Sequence, residues 1–155
     1  MSIYANIAAA ESAGGVEVVS DWLEITQERV STFADATEDH QWIHLDYDRA
    51  KESPFGGTIA HGFLTLSLLT RLTEGAVQIE GTVMSINYGL NKVRFVHPVP
   101  VGSRIRARSS IASVERVPQG ARIATNIVVE IDGVHKPAAV AEMIALHVLD
   151  ESSGR

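Results

Sequence analysis

The chain has 155 residues and no cysteine, which excludes disulfides, thiolate catalysis and cysteine-based zinc sites. Thirteen Lys and Arg against nineteen Asp and Glu give a formal charge of −6, which argues against nucleic acid or an anionic membrane as the main partner. No apolar run approaches the ~20 residues of a membrane helix. The start lacks the basic residues and sustained apolar core of a secretory signal, so a one-domain cytoplasmic protein is expected.

Residues 1–15, rich in Ala, Ser and Gly, read as a flexible N-terminal segment, residues 16–150 as the folded domain, and residues 151–155 as a polar tail. Val16–Val19 suits a short strand. Thr26 can cap a first helix with its hydroxyl, with Ile25 and Val30 at staple positions and Glu28 near the positive end of the dipole. Val30, Phe33 and Ala34 share one face, and the helix should fade near Ala36-Thr37.

Asp39 and His44 follow, five residues apart. On a continuous helix they would point roughly 140° apart, so work on one substrate requires the chain between them to leave the helix. Asp46 can cap a short turn over Tyr47–Lys51, and Ser53–Gly57 is a loop by composition. From Ala60 to Glu74 apolar residues cover nearly the whole circumference, the mark of a buried helix, and Gly75 is a natural stop.

The rest of the chain alternates as strands do. Met84, Ile86, Tyr88 and Leu90 alternate with Ser85, Asn87 and Gly89 in an extended stretch over Val83–Val96. Arg104, Arg106 and Arg108 alternate with apolar residues and read as the solvent face of a strand rather than a phosphate grip. Val117–Gly120 turns the chain into a strand whose Ile123, Ile127, Val129 and Ile131 face inward. Asp132-Gly133 is a hairpin signal, and Val134–Leu149 returns as the last strand. Helices followed by long antiparallel strands make an α+β protein. The expected architecture is a single hot-dog fold, a curved antiparallel sheet wrapped around one buried central helix, with edges that call for a dimer.

The motifs Asp39…His44, Ile59-Ala60-His61-Gly62-Phe63 and Asn87–Phe95, with Pro98-Val99 and Gly102 beyond, resemble the R-specific enoyl-CoA hydratases, also called hydratase 2 or MaoC-like dehydratases. The resemblance runs from about Asp21 to Leu149. The family's usual motif has Asn-Pro between the acid and the histidine. Here Gln41 supplies a similar amide, and Trp42 lacks the fixed φ of proline.

The resemblance implies a cytoplasmic hydro-lyase of fatty acid metabolism that reversibly adds water to trans-2-enoyl thioesters. In that chemistry Asp39 and His44 hold one water and share its proton transfers. The Gly62 N–H, at a helix start, meets the enolate charge, and Ser67, Asn91 and Arg94 contact the rest of the ligand. His61 reads as structural, fixing the helix entry. The partner is an acyl-CoA or acyl-carrier thioester, and coenzyme A is part of the substrate rather than a cofactor. A metal reading exists for His40 and His44 with Asp39 and His61. Without an HExxH pattern or a continuous helix, no metal site is assigned. His97, His135 and His147 have no recognisable partner in the sequence. The competing functions are a hot-dog acyl-CoA thioesterase and a non-catalytic acyl-thioester-binding subunit. Chain length, carrier preference and pathway are not written in the residues.

Overall fold

The N-terminal segment, expected to be flexible, carries two elements. In the computed structural model, which describes residues 3–150, Ile3–Tyr4 forms β1 and Ile7–Ser12 forms α1. The Asn6 carboxamide oxygen caps α1 by accepting from the Ala9 N–H at 2.9 Å. Ala10 is fully buried in a small core with Ile79, Ile111, Ala121 and Ile123, and Glu11 takes a two-point ion pair from Arg116. The segment is held by strands about a hundred residues away, which no local pattern reveals.

Next come β2 (Glu17–Val19), β3 (Leu23–Glu24) and α2 (Gln27–Thr37). Thr26 caps α2 as expected, its hydroxyl accepting from the Arg29 N–H at 3.2 Å, and Ile25 and Val30 are fully buried. Two short helices follow, α3 (Trp42–Leu45) and α4 (Tyr47–Lys51). The Asp46 carboxylate caps α4 by accepting from the Arg49 N–H at 3.1 Å.

The central helix runs as α5 (Gly62–Ser67) and α6 (Leu69–Leu72). Leu68 separates them, yet its N–H still bonds the Leu64 carbonyl at 2.9 Å. The expectation of one helix over 60–74, buried all round, needs correcting. Leu64, Thr65, Leu68, Leu69 and Leu72 are buried, but Phe63 is 66% exposed, and Ser67, Thr70 and Arg71 also face out.

After β4 (Gln78–Ile79), which pairs with β1 in parallel, come the long strands β5 (Thr82–Phe95), β6 (Arg104–Val117), β7 (Gly120–Ile131) and β8 (Val134–Leu149). They form an antiparallel sheet in the order β2-β6-β7-β8-β5, with β3 also pairing β6. Ile123, Ile127, Val129 and Ile131 are buried, as their alternation requires. The main core joins Leu64, Leu68, Leu69 and Leu72 of the helix to Ile105, Ile127 and Ala141 of the sheet. This is the hot-dog arrangement of the α+β class.

The alternation in β5 misleads. It stands at the sheet edge, and Met84, Ile86, Tyr88 and Leu90 are exposed, as are Ser85, Asn87 and Gly89. The Arg stripe of β6 lies on the outer face, ion-paired as Arg104 with Asp132, Arg106 and Arg108 with Glu130, and Arg108 also with Glu17. The polar tail over residues 151–155 lies outside the described residues.

Candidate active site

The site begins where α2 ends. Glu38 takes a left-handed conformation (φ 61°) as its C-cap, which stops the helix and turns Asp39 out of its path. Asp39 is exposed, and its carboxylate accepts from the Gln41 N–H at 3.4 Å. No continuous helix therefore joins Asp39 to His44, as their spacing demands: α2 has ended before Asp39, and residues 39–41 are non-helical ahead of α3. His44 itself lies on the single turn of α3 rather than in a loop. Trp42 occupies the first position of that turn, a place proline also suits. The Arg49 guanidinium covers the Trp42 ring at 4.1 Å, so a cation–π contact joins α3 to α4 where the family's usual sequence has a rigid ring.

His44 is 6% exposed, and its Nδ1 lies 2.7 Å from the Ile59 carbonyl oxygen. A carbonyl only accepts, so Nδ1 carries the proton and Nε2 keeps a lone pair in the neutral ring. Burial pushes the His44 pKa down, assisted by the nearby His61, against the opposing effects of the Ile59 bond and Asp39. The ring is therefore poised as a neutral base.

His61, just ahead of α5, is 3% exposed and stacks on His44 with ring centroids 3.7 Å apart and planes 23° apart. Its Nε2–H donates to the Asp39 backbone carbonyl at 3.0 Å, and among the described residues its buried Nδ1 has no partner. That bond ties the Asp39 loop to the entry of the central helix. Asp39, His44 and His61 come together so that one donor atom from each lies within 4.8 Å of the others. A divalent ion could use such a set. Each histidine gives one nitrogen to a backbone carbonyl and keeps the other free, and the two rings are stacked with planes 23° apart.

Gly62 opens α5, so its N–H has no intrahelical acceptor. A Cβ at this position would sit 3.1–3.2 Å from the Phe95 ring, and glycine permits that close approach. Ser67, Asn91 and Arg94 are otherwise engaged. The Ser67 hydroxyl donates to the Phe63 carbonyl at 2.7 Å, Asn91 donates to Glu142 at 2.8 Å, and Arg94 donates to the neighbouring Val93 carbonyl at 2.6 Å. Among the described residues none of the three shares a hydrogen bond with Asp39, His44 or His61. Ser67 lines an open groove of about 390 Å³ between the central helix and β5. His147 does have a partner, the Ser85 hydroxyl at 3.1 Å from Nδ1, and His97 bonds the Pro98 carbonyl. Gln27 and Thr58 also meet beside His44. Thirty-one residues separate them, and nothing in the local sequence marks either one.

The family model for the MaoC like domain matches residues 9–131. The chain is 53% identical over 150 residues to the 3-hydroxyacyl-thioester dehydratase Z of Mycobacterium tuberculosis (strain ATCC 25618 / H37Rv), covering 96% of this chain and 99% of that protein. Among solved structures, a protein described as monoamine oxidase regulatory protein from Archaeoglobus fulgius superposes with a TM-score of 0.79 at 22% identity, over 96% of this chain and 97% of the other. The unliganded R-hydratase of Pseudomonas aeruginosa superposes with a TM-score of 0.71, also at 22% identity, over 95% and 88%.

Proposed function

Because the chain belongs to the MaoC-like dehydratase family, we propose that it is a hydro-lyase interconverting trans-2-enoyl and (R)-3-hydroxyacyl thioesters, with Asp39 and His44 as its proton-transfer pair. The observation that carries this reading is the convergence of Asp39 with a buried, neutral His44 whose free nitrogen is Nε2. In hydration a water held between the two gives its proton towards His44 Nε2 as its oxygen bonds Cβ. That proton is returned to Cα through the Asp39–His44 pair, so one water supplies both the hydroxyl and the Cα hydrogen. Addition from one face is then syn. Charge that builds on the thioester oxygen is met by the Gly62 N–H. Dehydration runs the same steps backwards. Ser67, Asn91 and Arg94 are proposed contacts for the remainder of the thioester, whether a coenzyme A or a carrier-protein arm. The chemistry requires no metal and no cofactor beyond the substrate's own thioester.

A homodimer completes the reading. Among the described residues β5 leaves one edge of the sheet unpaired and exposes Val83, Met84, Ile86, Tyr88 and Leu90. Such an edge is normally covered. The open side of α5, with Phe63 exposed, adds apolar surface for the same contact.

The test follows the enoyl-thioester absorbance of crotonyl-CoA with wild type, Asp39→Asn and His44→Gln. Loss of the band in wild type alone, yielding the R alcohol with no free thiol, is the expected result. Release of thiol would mean a thioesterase. Variants as active as wild type would remove both residues from the mechanism.

A further inference from the structure

We infer that Gln27 and Thr58 are positioning residues for His44, forming a closed hydrogen-bonded ring that holds its Nε2 lone pair towards the reacting water. The inference rests on the reading of His44 as the proton acceptor. The Gln27 side-chain Nε2 donates to the His44 backbone carbonyl at 2.8 Å. The Thr58 hydroxyl donates to Gln27 Oε1 at 2.7 Å. Thr58 is joined by its peptide bond to Ile59, whose carbonyl accepts from His44 Nδ1 at 2.7 Å. The ring therefore runs from the His44 backbone through Gln27, Thr58 and Ile59 to the His44 imidazole.

Each link needs its own chemistry. The His44 carbonyl requires a donor and the buried Thr58 hydroxyl requires an acceptor. A carboxamide offers both from one side chain, and a carboxylate offers only acceptors. The ring is anchored on both sides. Ile59 N–H donates to the Ile43 carbonyl at 3.0 Å, Val101 N–H to the Thr58 carbonyl at 2.9 Å, and Ala60 N–H to the Val99 carbonyl at 2.8 Å. Thr58 is 4% exposed, so water does not replace a lost partner freely. Gln27 opens α2, the helix whose far end delivers Asp39. One helix thus grips the histidine at its start and presents the acid at its end, and their separation depends on this clamp. Loosening it releases the Ile59 carbonyl from register, and with it the preference for the proton on Nδ1.

The experiment compares Gln27→Glu, which removes the donor at constant shape, Thr58→Val, which removes the hydroxyl at constant shape, and Thr58→Ser, which keeps it. Long-range ¹⁵N correlation spectra of the His44 ring, recorded without substrate, report the tautomer. Crotonyl-CoA kinetics report kcat and KM. Gln27→Glu and Thr58→Val are expected to lower kcat by about tenfold to a hundredfold, the scale of a misplaced catalytic group. KM stays within about twofold, because no substrate contact is lost. The His44 nitrogens move towards tautomer-averaged shifts, and Thr58→Ser restores both signals. Unchanged ¹⁵N shifts and kcat in Gln27→Glu would overturn the inference. Equal impairment in Thr58→Ser and Thr58→Val would also do so, by reducing Thr58 to packing. If wild type does not turn over crotonyl-CoA while Gln27→Glu still shifts the His44 nitrogens, the clamp stands and the hydratase reading fails.

Discussion

Gly62→Ala separates the observed close packing against Phe95 from the proposed delivery of the Gly62 N–H to the substrate. The added methyl would sit 3.1 Å from Phe95 Cγ and 3.2 Å from both Cδ atoms. That is tight by a few tenths of an ångström. The obstacle is a side chain that is 47% exposed and stands edge-on to Phe63 with centroids 5.9 Å apart. Displacing the ring costs at most the worth of such a pair, about 0.5–1.5 kcal/mol. Alanine recovers up to about 1 kcal/mol over glycine in a helix interior, and less at the first position of α5, where Gly62 stands. The two partly cancel, and about 1 kcal/mol in a domain of this size is about 2–4 °C in Tm. The thermal midpoint should therefore stay within about 4 °C of wild type. Activity should not follow. On the proposed mechanism, a methyl next to the Gly62 N–H hinders the approach of the thioester oxygen to that donor. Loss of one such donor typically costs about 10²–10³ in kcat. The assay is differential scanning fluorimetry beside steady-state hydration of crotonyl-CoA. A variant that unfolds much earlier but keeps its kcat would refute the reasoning and leave Gly62 with packing alone.

Burial holds His44 below its ordinary pKa of 6.5, and the ring acts as a base only when neutral. Activity is present above that pKa and lost as pH falls through it, so the acid limb of kcat/KM should centre below 6.5; a limb centred higher would contradict the assignment. Gly120 sits at φ +147°, and a Cβ there would lie 2.1 Å from the His147 carbonyl oxygen, a backbone atom that cannot swing away. Gly120→Ala should lose roughly 2–4 kcal/mol from strain and overpacking, read as a fall in the urea midpoint. Ile86→Lys on the exposed edge of β5 should shift light-scattering mass from dimer to monomer; a monomeric wild type would end the dimer reading.

Much of the pair at the centre of the site is legible in the order of the amino acids. Asp39 and His44 stand five positions apart, a spacing incompatible with one continuous helix and a shared target, and the non-helical residues 39–41 agree; where α2 stops, at the left-handed Glu38, is not set by that spacing. The caps at Thr26 and Asp46 and the turns at Gly120 and Gly133 are equally local, because each depends on a few neighbouring backbone groups. What the sequence does not reveal involves partners far along the chain. His61 reads as a helix-entry residue, and its bond to the Asp39 carbonyl agrees. That it also stacks on His44 depends on how α3 and α5 meet. Gln27 and Thr58 have no signature, since a glutamine in the first turn of a helix is ordinary until something is placed against it.

The same division explains the elements whose burial differs from expectation. Period-2 alternation in Ile123–Ile131 matches burial because β7 has a neighbour on each side and the helix across its face. The alternation of Met84–Leu90 is just as regular, yet β5 lies at an edge with both faces open, and its burial depends on what covers it. Ala10 is buried for the converse reason, as strands remote in sequence close over it. Side-chain order and turn chemistry are properties of short stretches, and the amino acids alone decide them. Which face is covered, and which nitrogen of His44 is left free, are decided by contacts across the fold, where hydrogen bonds and packing are shared between segments that carry no information about one another.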